Sequence, residues 1–420
     1  MKTTLSEELT WRGFVNQSTF SDITELDKRK FSFYWGVDPS SSSMTVGNLA
    51  LAMMVKHFIA YGHRPYLLVG GATGLIGDPD GKTEERVIRS KEQIESDKKA
   101  LGEQYKKLFA GSNFTLVDNL DWFKGYAYLD FLRDIGKHVP LSQMIGREFV
   151  QSRLKTENSG ISYAEFSYVM IQAYDYLYLH KKHGVDLQVA GSDQWGNSIA
   201  GVDLIRRLSG DVTHVWTGPL VVNPQTGVKF GKSEQGAIWL DPKLTSPTAF
   251  YQFWVNAEDS AVEQYLKLYT LLDRAQIEEV MKQQNGEQKK DRPAQFKLAD
   301  EVTTLVHGES LAASARRVTS YLTSSLDIAT ASREDLASLR EEIPFLKSSL
   351  DGSIIGALVA SGLATSNTAA RQLIGDGAVY INNQRVTKDH FESDDFTQGR
   401  LLMRRGKAYR DSALVELANA

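Results

Sequence analysis

Between residues 30 and 220, short apolar runs alternate with longer amphipathic stretches. YLLVG (66–70) and VDLQVA (185–190) have the length and composition of buried strands, and each precedes a glycine-rich turn. The stretches between such runs read as helices that end in basic residues and glycine: LALAMMVKHFIAYG (49–62), EFSYVMIQAYDYLYLHKK (165–182) and NSIAGVDLIRRLSG (197–210). Strand–turn–helix alternation predicts an α/β fold with a mostly parallel sheet, whose ligands bind beyond the carboxyl ends of the strands.

The rest of the chain has a different pattern. With 420 residues the chain is too long for one ordinary core, so we expect two or three domains. From about 245 to 320 the pattern is helical, and residues 321–352 are rich in serine and charge, so we expect a linker there. Residues 357–386 then read as helix, turn, helix and hairpin.

Composition excludes some classes of protein. No apolar run reaches the roughly 20 residues of a membrane span, the start has no secretory signal, and without cysteine there can be no disulfide. These features fit a protein of a reducing compartment. The net charge of −4 argues mildly against a nucleic-acid partner, although RLLMRRGKAYR (400–410) carries five basic residues and no acid.

The glycine-rich stretch VGGATGLIGDPDGKTEER (69–86) is similar to a phosphate-binding loop but fails its spacing, because Ile76 stands where the first glycine should be. Asp78 lies inside this stretch, and a carboxylate there would repel phosphate and attract an ammonium group. The alternative is a tight strand-to-helix turn without a ligand.

Three further segments carry polar groups in patterns that suit a binding site. Tyr168, Gln172 and Asp175 share one face of a helix, which would line a pocket or be exposed. In GSDQWGN (191–197) the acid and amide follow a strand and could bind a ribose or cap the next helix. VKFGKS (228–233) offers two lysines that could stabilise a transferring phosphate or be merely solvated. No catalytic triad or metal-ligand spacing stands out.

Taken in order, these segments make the chain resemble the bacterial-type tyrosyl-tRNA synthetases. The resemblance spans almost the whole chain and rests on these motifs: YWGVDP, GGATGLIGDP with a following GK, FLRDIGKH, GISYAEFSY with QAYD, GSDQWGN, KFGKS, TSPTAFYQFW, LVHGE and RRGK.

The resemblance implies a Rossmann-like class I catalytic domain over 1–222, with a dimer-forming insertion near 120–160. A lysine loop and helical anticodon-recognition domain would occupy 223–320. After the linker, 353–420 would form a small α+β RNA-binding module. The implied substrates are L-tyrosine, ATP with Mg²⁺, and tRNA(Tyr). The implied protein is a cytoplasmic homodimer without a protein-bound metal.

The resemblance also implies roles for individual residues. Tyr34 and Asp175 would bind the substrate phenol, and the ammonium would be held by Asp78, Tyr168 and Gln172. The adenylate site would be lined by Gly36, Asp38, Ser40, Gly47, Gly191, Asp193 and Gln194. The catalytic groups would be Thr45, Asn48, Lys82, Arg86, Lys229, Lys232 and Ser233.

Two departures from the family pattern bear on activity. The usual His-x-Gly-His is Thr45-Val46-Gly47-Asn48 here, which offers neutral donors in place of imidazoles, and Trp35 replaces a small residue beside the ATP ribose. They motivate the alternative of a catalytically impaired relative that only binds RNA. A tryptophan enzyme is a further alternative, but Tyr34 with Asp175 suits a phenol better than an indole.

Overall fold

The computed structural model describes residues 3–79, 89–145, 150–151, 161–222, 232–233, 236–323, 326–406 and 411–418. They form two compact units, Met1–Leu244 with Glu258–Lys289 (unit 1) and Thr245–Ala257 with Lys290–Ala420 (unit 2). No helix in the described ranges is both long and apolar enough to cross a membrane.

Unit 1 is built on a six-stranded sheet. Its strands are β1 (Gln17–Ser18), β2 (Ser32–Val37), β3 (Arg64–Val69), β4 (Thr115–Asp118), β5 (Leu187–Gly191) and β6 (His214–Gly218), in the order β1-β6-β5-β2-β3-β4. Strands β2 to β6 are parallel to their neighbours and β1 is antiparallel to β6. The predicted parallel α/β fold is therefore confirmed. A two-stranded ribbon, β7 (Lys232–Ser233) with β8 (Gly236–Ala237), lies later in the chain.

The helices of unit 1 follow the predicted alternation. They are α1 (Leu5–Arg12), α2 (Glu25–Lys28), α3 (Val46–Ala60), α4 (Thr73–Ile76), α5 (Lys91–Leu108), α6 (Leu120–Phe123), α7 (Tyr128–Asp134), α8 (Leu141–Ile145), α9 (Tyr163–His183) and α10 (Trp195–Ser209), then α12 (Val262–Tyr269) and α13 (Arg274–Asn285). The helix between them in the chain, α11 (Pro247–Val255), belongs to unit 2. Helices α9 and α10 end at Gly184 (φ 64°) and Gly210 (φ 76°), a left-handed conformation that glycine adopts without steric cost.

The period of two along β2 divides its aromatic side chains between the two faces of the sheet. Phe33 packs on Phe58 of α3, and Trp35 packs edge-on against Tyr105 of α5 with ring centroids 5.4 Å apart. Tyr34 points to the other face and contacts Tyr176 of α9. The Trp35 side chain is buried, because the strand alternation directs its ring toward α5. Trp35 also lines the cavity at the carboxyl end of β2, so its expected place beside a nucleotide stays a prediction.

Strands β2 and β5 are neighbours in the sheet although they are far apart in the chain, with Tyr34 opposite Gln188. The chain leaves β2 toward β3 on one side and leaves β5 toward β6 on the other. Such a switch in strand order opens a crevice at the carboxyl ends of the strands. The crevice is where the sequence places its polar segments.

Unit 2 begins with α11 (Pro247–Val255), which packs with α14 (Pro293–His307) and α15 (Glu309–Leu322). It continues with α16 (Arg333–Glu342), α17 (Ile354–Ala360) and α18 (Asn367–Gly375). Its sheet contains β9 (Phe345–Ser348), β10 (Val379–Ile381), β11 (Gln384–Arg385), β12 (Arg400–Arg405) and β13 (Ser412–Leu417), in the order β11-β10-β12-β13-β9. The helix–turn–helix–hairpin pattern is thus present, followed by two further strands.

The stretch 321–352, expected as a linker, carries regular structure. Strand β9 pairs in parallel with β13, and Leu336, Leu339 and Ile343 join a buried cluster with Leu414. The three apolar residues stand at helical spacing, which the serine-rich composition of the stretch obscures. Composition alone therefore missed the periodicity. The functional division into recognition domains stays a prediction.

We expect Gly201→Ala in α10 to destabilise unit 1 by about 1–3 kcal/mol through overpacking. A Cβ at this position would lie 2.9 Å from Cδ1 and 3.0 Å from Cβ of Tyr176, where α9 and α10 cross. Thermal and urea unfolding, followed by circular dichroism, would measure the change.

The matched control is Gly102→Ala in the interior of α5, where a Cβ would find its nearest atom at 3.5 Å. That variant should be neutral or up to about 1 kcal/mol more stable, because alanine favours the helix. Equal stability of the two variants would contradict the close packing of α9 on α10.

Candidate active site

A cavity of about 240 Å³ opens at the carboxyl ends of β2 and β5. It is lined by residues of β2, β5, α9 and the 3₁₀ turn Ser192–Gln194, together with the segments that follow β2 and α4. Among the residues predicted from sequence, the cavity brings together Tyr34, Gly36, Asp38, Ser40, Asn48, Asp78, Tyr168, Gln172, Asp175, Gly191, Asp193 and Gln194.

The other predicted residues are placed differently. Thr45 and Gly47 lie at the start of α3 beside the cavity-lining Asn48. Lys232 and Ser233 form β7, and their side chains lie outside the described part. Lys82, Arg86 and Lys229 also lie outside the described residues.

The start of α3 is closed by a cap made of its own residues. The Thr45 backbone N–H and hydroxyl both donate to Asn48 Oδ1, at 3.0 and 3.1 Å. The Thr45 hydroxyl proton is thus directed at Asn48. Thr45 also forms a β-bridge with Trp239, and Val46 N donates to the Ile238 carbonyl at 3.1 Å. The segment that follows the lysine motif is therefore fixed to the amino end of α3.

Asp175 is the most deeply buried carboxylate of the cavity, with 2% of its surface exposed. Asn119 Nδ2 donates to its Oδ2 at 3.0 Å, and Trp122 Nε1 donates to its Oδ1 at 2.8 Å. Burial raises the pKa of Asp175 to about 8, although both donors oppose the shift. The two donors fix the carboxylate plane, so its oxygens face the cavity in a set direction.

Asp38 accepts two further hydrogen bonds. Thr73 Oγ1 donates to Oδ1 at 2.6 Å and Tyr168 Oη donates to Oδ2 at 2.7 Å. Asn119 Nδ2, which serves Asp175, also donates to Thr73 Oγ1 at 3.1 Å. A continuous hydrogen-bonded chain therefore joins the carboxylates of Asp38 and Asp175 through Asn119 and Thr73.

Gly70 makes room for this chain. A Cβ at Gly70 would lie 2.1 Å from Asp38 Oδ1 and 2.2 Å from Thr73 Oγ1. Any larger residue would displace one of these side chains. Gly70 is therefore required because the Asp38 and Thr73 side chains come close to its backbone. This accounts for one of the glycines that made the stretch 69–86 similar to a phosphate-binding loop.

Gln194 brings Asp78 to the end of β5. Its Nε2 donates to Asp78 Oδ2 at 2.6 Å, while its Oε1 accepts from Asn197 Nδ2 at 3.0 Å. The acid of the glycine-rich loop and the amide of GSDQWGN are therefore parts of one cluster.

Three buried polar atoms around the cavity have no hydrogen-bond partner within the described ranges: Tyr34 Oη, Gln172 Oε1 and Gln188 Oε1. Each such atom costs about 1–3 kcal/mol of desolvation if it stays unpaired. The same cavity presents the carboxylates of Asp38, Asp78, Asp175 and Asp193. The arrangement suits a small ligand that carries hydrogen-bond donors and a positive charge.

Sequence reasoning missed four residues of this site: Thr73, Asn119, Trp122 and Gln188. Gln188 had a readable signal, because an amide stands in the middle of the otherwise buried strand VDLQVA. The others gave no local signal, since their partners Asp38 and Asp175 are distant in the chain. In the part of the chain that the structure describes, no group of three or more His, Cys, Asp or Glu could hold a metal ion.

Comparison with known proteins identifies the family. The family model described as "tRNA synthetases class I (W and Y)" matches residues 26–323, and "Tyrosine--tRNA ligase SYY-like C-terminal domain" matches residues 335–410. The tyrosine–tRNA ligase of Roseiflexus castenholzii is 43% identical over 391 residues, which is 91% of each chain. That of Staphylococcus haemolyticus is 40% identical over 97% of this chain and 98% of its own.

A solved structure indicates the same family. The C-terminally truncated mitochondrial tyrosyl-tRNA synthetase of Aspergillus nidulans superposes with a TM-score of 0.69 and 30% identity, covering 76% of this chain and 94% of its own. These matches confirm the resemblance inferred from the motifs. The chain therefore belongs to the class I tRNA synthetases for tryptophan and tyrosine, and within them to the tyrosine–tRNA ligases.

Proposed function

We propose that this enzyme attaches L-tyrosine to tRNA(Tyr) in two steps, through a tyrosyl-adenylate made from ATP. The tyrosine carboxylate attacks the α-phosphorus and pyrophosphate leaves. The terminal ribose hydroxyl of the tRNA then takes the tyrosyl group. The observation that carries the proposal is the buried pair Tyr34 and Asp175, which line one cavity with the Tyr34 hydroxyl unpartnered among the described residues.

The phenol of the substrate would lie between Tyr34 and Asp175. Its hydroxyl would donate to Asp175 and accept from Tyr34 Oη, which satisfies one of the unpaired buried atoms. Phenylalanine would leave both protein groups buried and unpaired. An indole N–H has no acceptor capacity to offer Tyr34, so the same pair disfavours tryptophan.

The ammonium of the substrate would bind to Asp78, Tyr168 and Gln172. The unpaired Gln172 Oε1 is an acceptor, and the carboxylates of Asp78 and Asp38 give this side of the cavity a negative potential. Gln188 Oε1 offers one more acceptor beside Tyr34.

ATP would bind at the open end of the cavity, where Gly36 and Ser40 are exposed. Backbone N–H groups at the start of α3, around Gly47 and Asn48, would face the phosphates, and the helix dipole favours anions there. Asp38, Gly191, Asp193 and Gln194 would contact the nucleoside. Mg²⁺ would arrive with ATP as part of the substrate and neutralise phosphate charge.

The lysine motif would supply the remaining charge stabilisation. Residues 238 and 240 are hydrogen-bonded to residues 46 and 44 at the start of α3. From the chain before this anchor, Lys229, Lys232 and Ser233 would reach the phosphates. Lys82 and Arg86 would act nearby. Neither step needs a protein nucleophile, so positioning and electrostatics would provide the rate.

The tRNA would contact regions outside this cavity. We assign anticodon recognition to the helical part of 223–320 and RNA binding to the module 353–420. Strand β12 carries Arg400, Arg404 and Arg405, and such local basic groups serve phosphate contacts despite a negative net charge. A cytoplasmic location stays a prediction.

A homodimer formed through the segment near 120–160 is part of the proposal. Three of its large apolar side chains are strongly exposed, with Leu129 at 74%, and Tyr128 and Leu141 each at 60%. Neighbouring Ile145 and Tyr163 are exposed as well. Exposed apolar groups concentrated in one segment favour a protein–protein contact.

The purified enzyme should catalyse ATP–pyrophosphate exchange that depends on tyrosine and Mg²⁺, and should then charge tRNA(Tyr). Exchange with tryptophan or phenylalanine at equal concentration should be negligible. Radiolabelled pyrophosphate incorporation into ATP measures the first step, and acid-precipitable label on tRNA measures the second. Absence of exchange at saturating tyrosine and ATP would overturn the proposal in favour of a non-catalytic RNA-binding role.

Asp175→Ala should weaken tyrosine binding by about 3 kcal/mol, roughly 100-fold, because the phenol loses its acceptor and two buried donors lose theirs. The KM for ATP should stay near wild type. Calorimetric titration with tyrosine measures the affinity. The control Asp203→Ala removes an acid of α10 that pairs with the exposed Arg206, and should bind tyrosine normally. Near-normal tyrosine affinity of Asp175→Ala would show the pocket assignment to be wrong.

Leu129→Arg should convert the dimer to a monomer at micromolar concentration, because a charge replaces an apolar contact. Sedimentation velocity would report the change. Val212→Arg is the matched control, since Val212 is equally exposed at 75% but lies outside 120–160. A Leu129→Arg protein that sediments like wild type would exclude this segment as the interface.

A further inference from the structure

Trp122 donates a hydrogen bond to Asp175. It belongs to the four-residue helix α6, which is too short to fix the orientation of its own side chains. The indole must therefore be oriented by neighbours. Its ring lies flat on Tyr178, with ring centroids 4.6 Å apart and an interplanar angle of 17°. This stack sets the plane of the indole and hence the direction of its N–H.

Tyr178 and Asp175 stand three residues apart on α9, so both face the same neighbouring segment. One helix thus supplies the carboxylate and also the aromatic surface that orients the group donating to it. Tyr174 on the same helix holds the next residues, with its ring 5.3 Å from Phe123 and stacked on Tyr126 at 5.4 Å. The segment 122–126 is thereby held against α9 by these aromatic contacts together with the hydrogen bond from Trp122 to Asp175.

We propose that Tyr178 is a positioning residue for recognition of the substrate phenol. Its ring fixes the plane of Trp122, and through it the 2.8 Å hydrogen bond from Trp122 Nε1 to Asp175 Oδ1. The inference rests on the proposed role of Asp175 as the phenol acceptor. The sequence motifs do not include Tyr178, and it does not line the active-site cavity.

The mechanism specifies which part of the Tyr178 side chain is needed. A flat ring is required at position 178, and its hydroxyl is not, because the contact with Trp122 is made by the ring faces. When the stack is lost, the indole can rotate about its side-chain torsions and the N–H leaves the carboxylate. Asp175 then turns more freely and binds the phenol with a less well-fixed geometry.

The test compares Tyr178→Leu, which keeps apolar bulk but removes the flat ring, with Tyr178→Phe, which keeps the ring. Tyr178→Leu should raise the KM for tyrosine in pyrophosphate exchange about 10-fold, with kcat and the KM for ATP within about twofold. It should lower the preference for tyrosine over phenylalanine by a similar factor. Tyr178→Phe should restore the wild-type KM and preference.

A double-mutant cycle separates this role from a general effect on folding. Trp122→Phe removes the donor but keeps an aromatic ring, and should itself lower the preference for tyrosine. If Tyr178 acts through Trp122, Tyr178→Leu should cause little further loss of preference in the Trp122→Phe background. Independent, additive losses would overturn the inference, as would a Tyr178→Leu enzyme with lowered thermal stability but an unchanged KM for tyrosine.

The outcomes also distinguish the inference from the proposed function. If Asp175→Ala binds tyrosine normally, the phenol site is misassigned and both proposals fail. If Asp175→Ala loses tyrosine affinity while Tyr178→Leu keeps it, only the role of Tyr178 is overturned. If Tyr178→Phe behaves like Tyr178→Leu, the hydroxyl matters and the stacking mechanism is wrong.

Discussion

The buried carboxylate of Asp175, held between Asn119 and Trp122, is the interaction on which the site of unit 1 depends. An ionisable group out of contact with water is costly to keep charged, and its pKa is raised accordingly. Two donors from the segment after β4 reduce that cost without removing it. A ligand that adds a third donor gains more from such a carboxylate than from one already solvated.

One of these donors, Asn119, also links Asp175 to Asp38. Asn119 donates hydrogen bonds to Asp175 and Thr73, and Thr73 donates a hydrogen bond to Asp38. The proposed phenol site and the proposed nucleotide site therefore share one hydrogen-bonded chain. A displacement of Asp175 must be accommodated at Asp38, and the reverse also holds, because each donor between them has a fixed partner. This shared chain fits a reaction that needs two substrates aligned at once.

Local spacing explains what the sequence predicted well. Tyr168, Gln172 and Asp175 share a helix face because a helix repeats every 3.6 residues, and the structure brings all three to one cavity. The parallel sheet follows from the alternation of buried strands with amphipathic helices. The burial of Trp35 has a related cause, since the strand period of two directs its ring toward α5 and only the packed sheet shows which face that is.

The sequence by itself determined the alternation of strands and helices between residues 30 and 220 and most of the side chains of the cavity, because helix and strand periods act between residues a few positions apart. It could not determine which distant side chains meet. Asn119 and Asp175 are 56 residues apart in the chain, and Asp38 and Tyr168 are 130 apart. Their pairing was decided only by the packing of α9 on the sheet, since hydrogen bonds at 3 Å require positions that no local rule specifies.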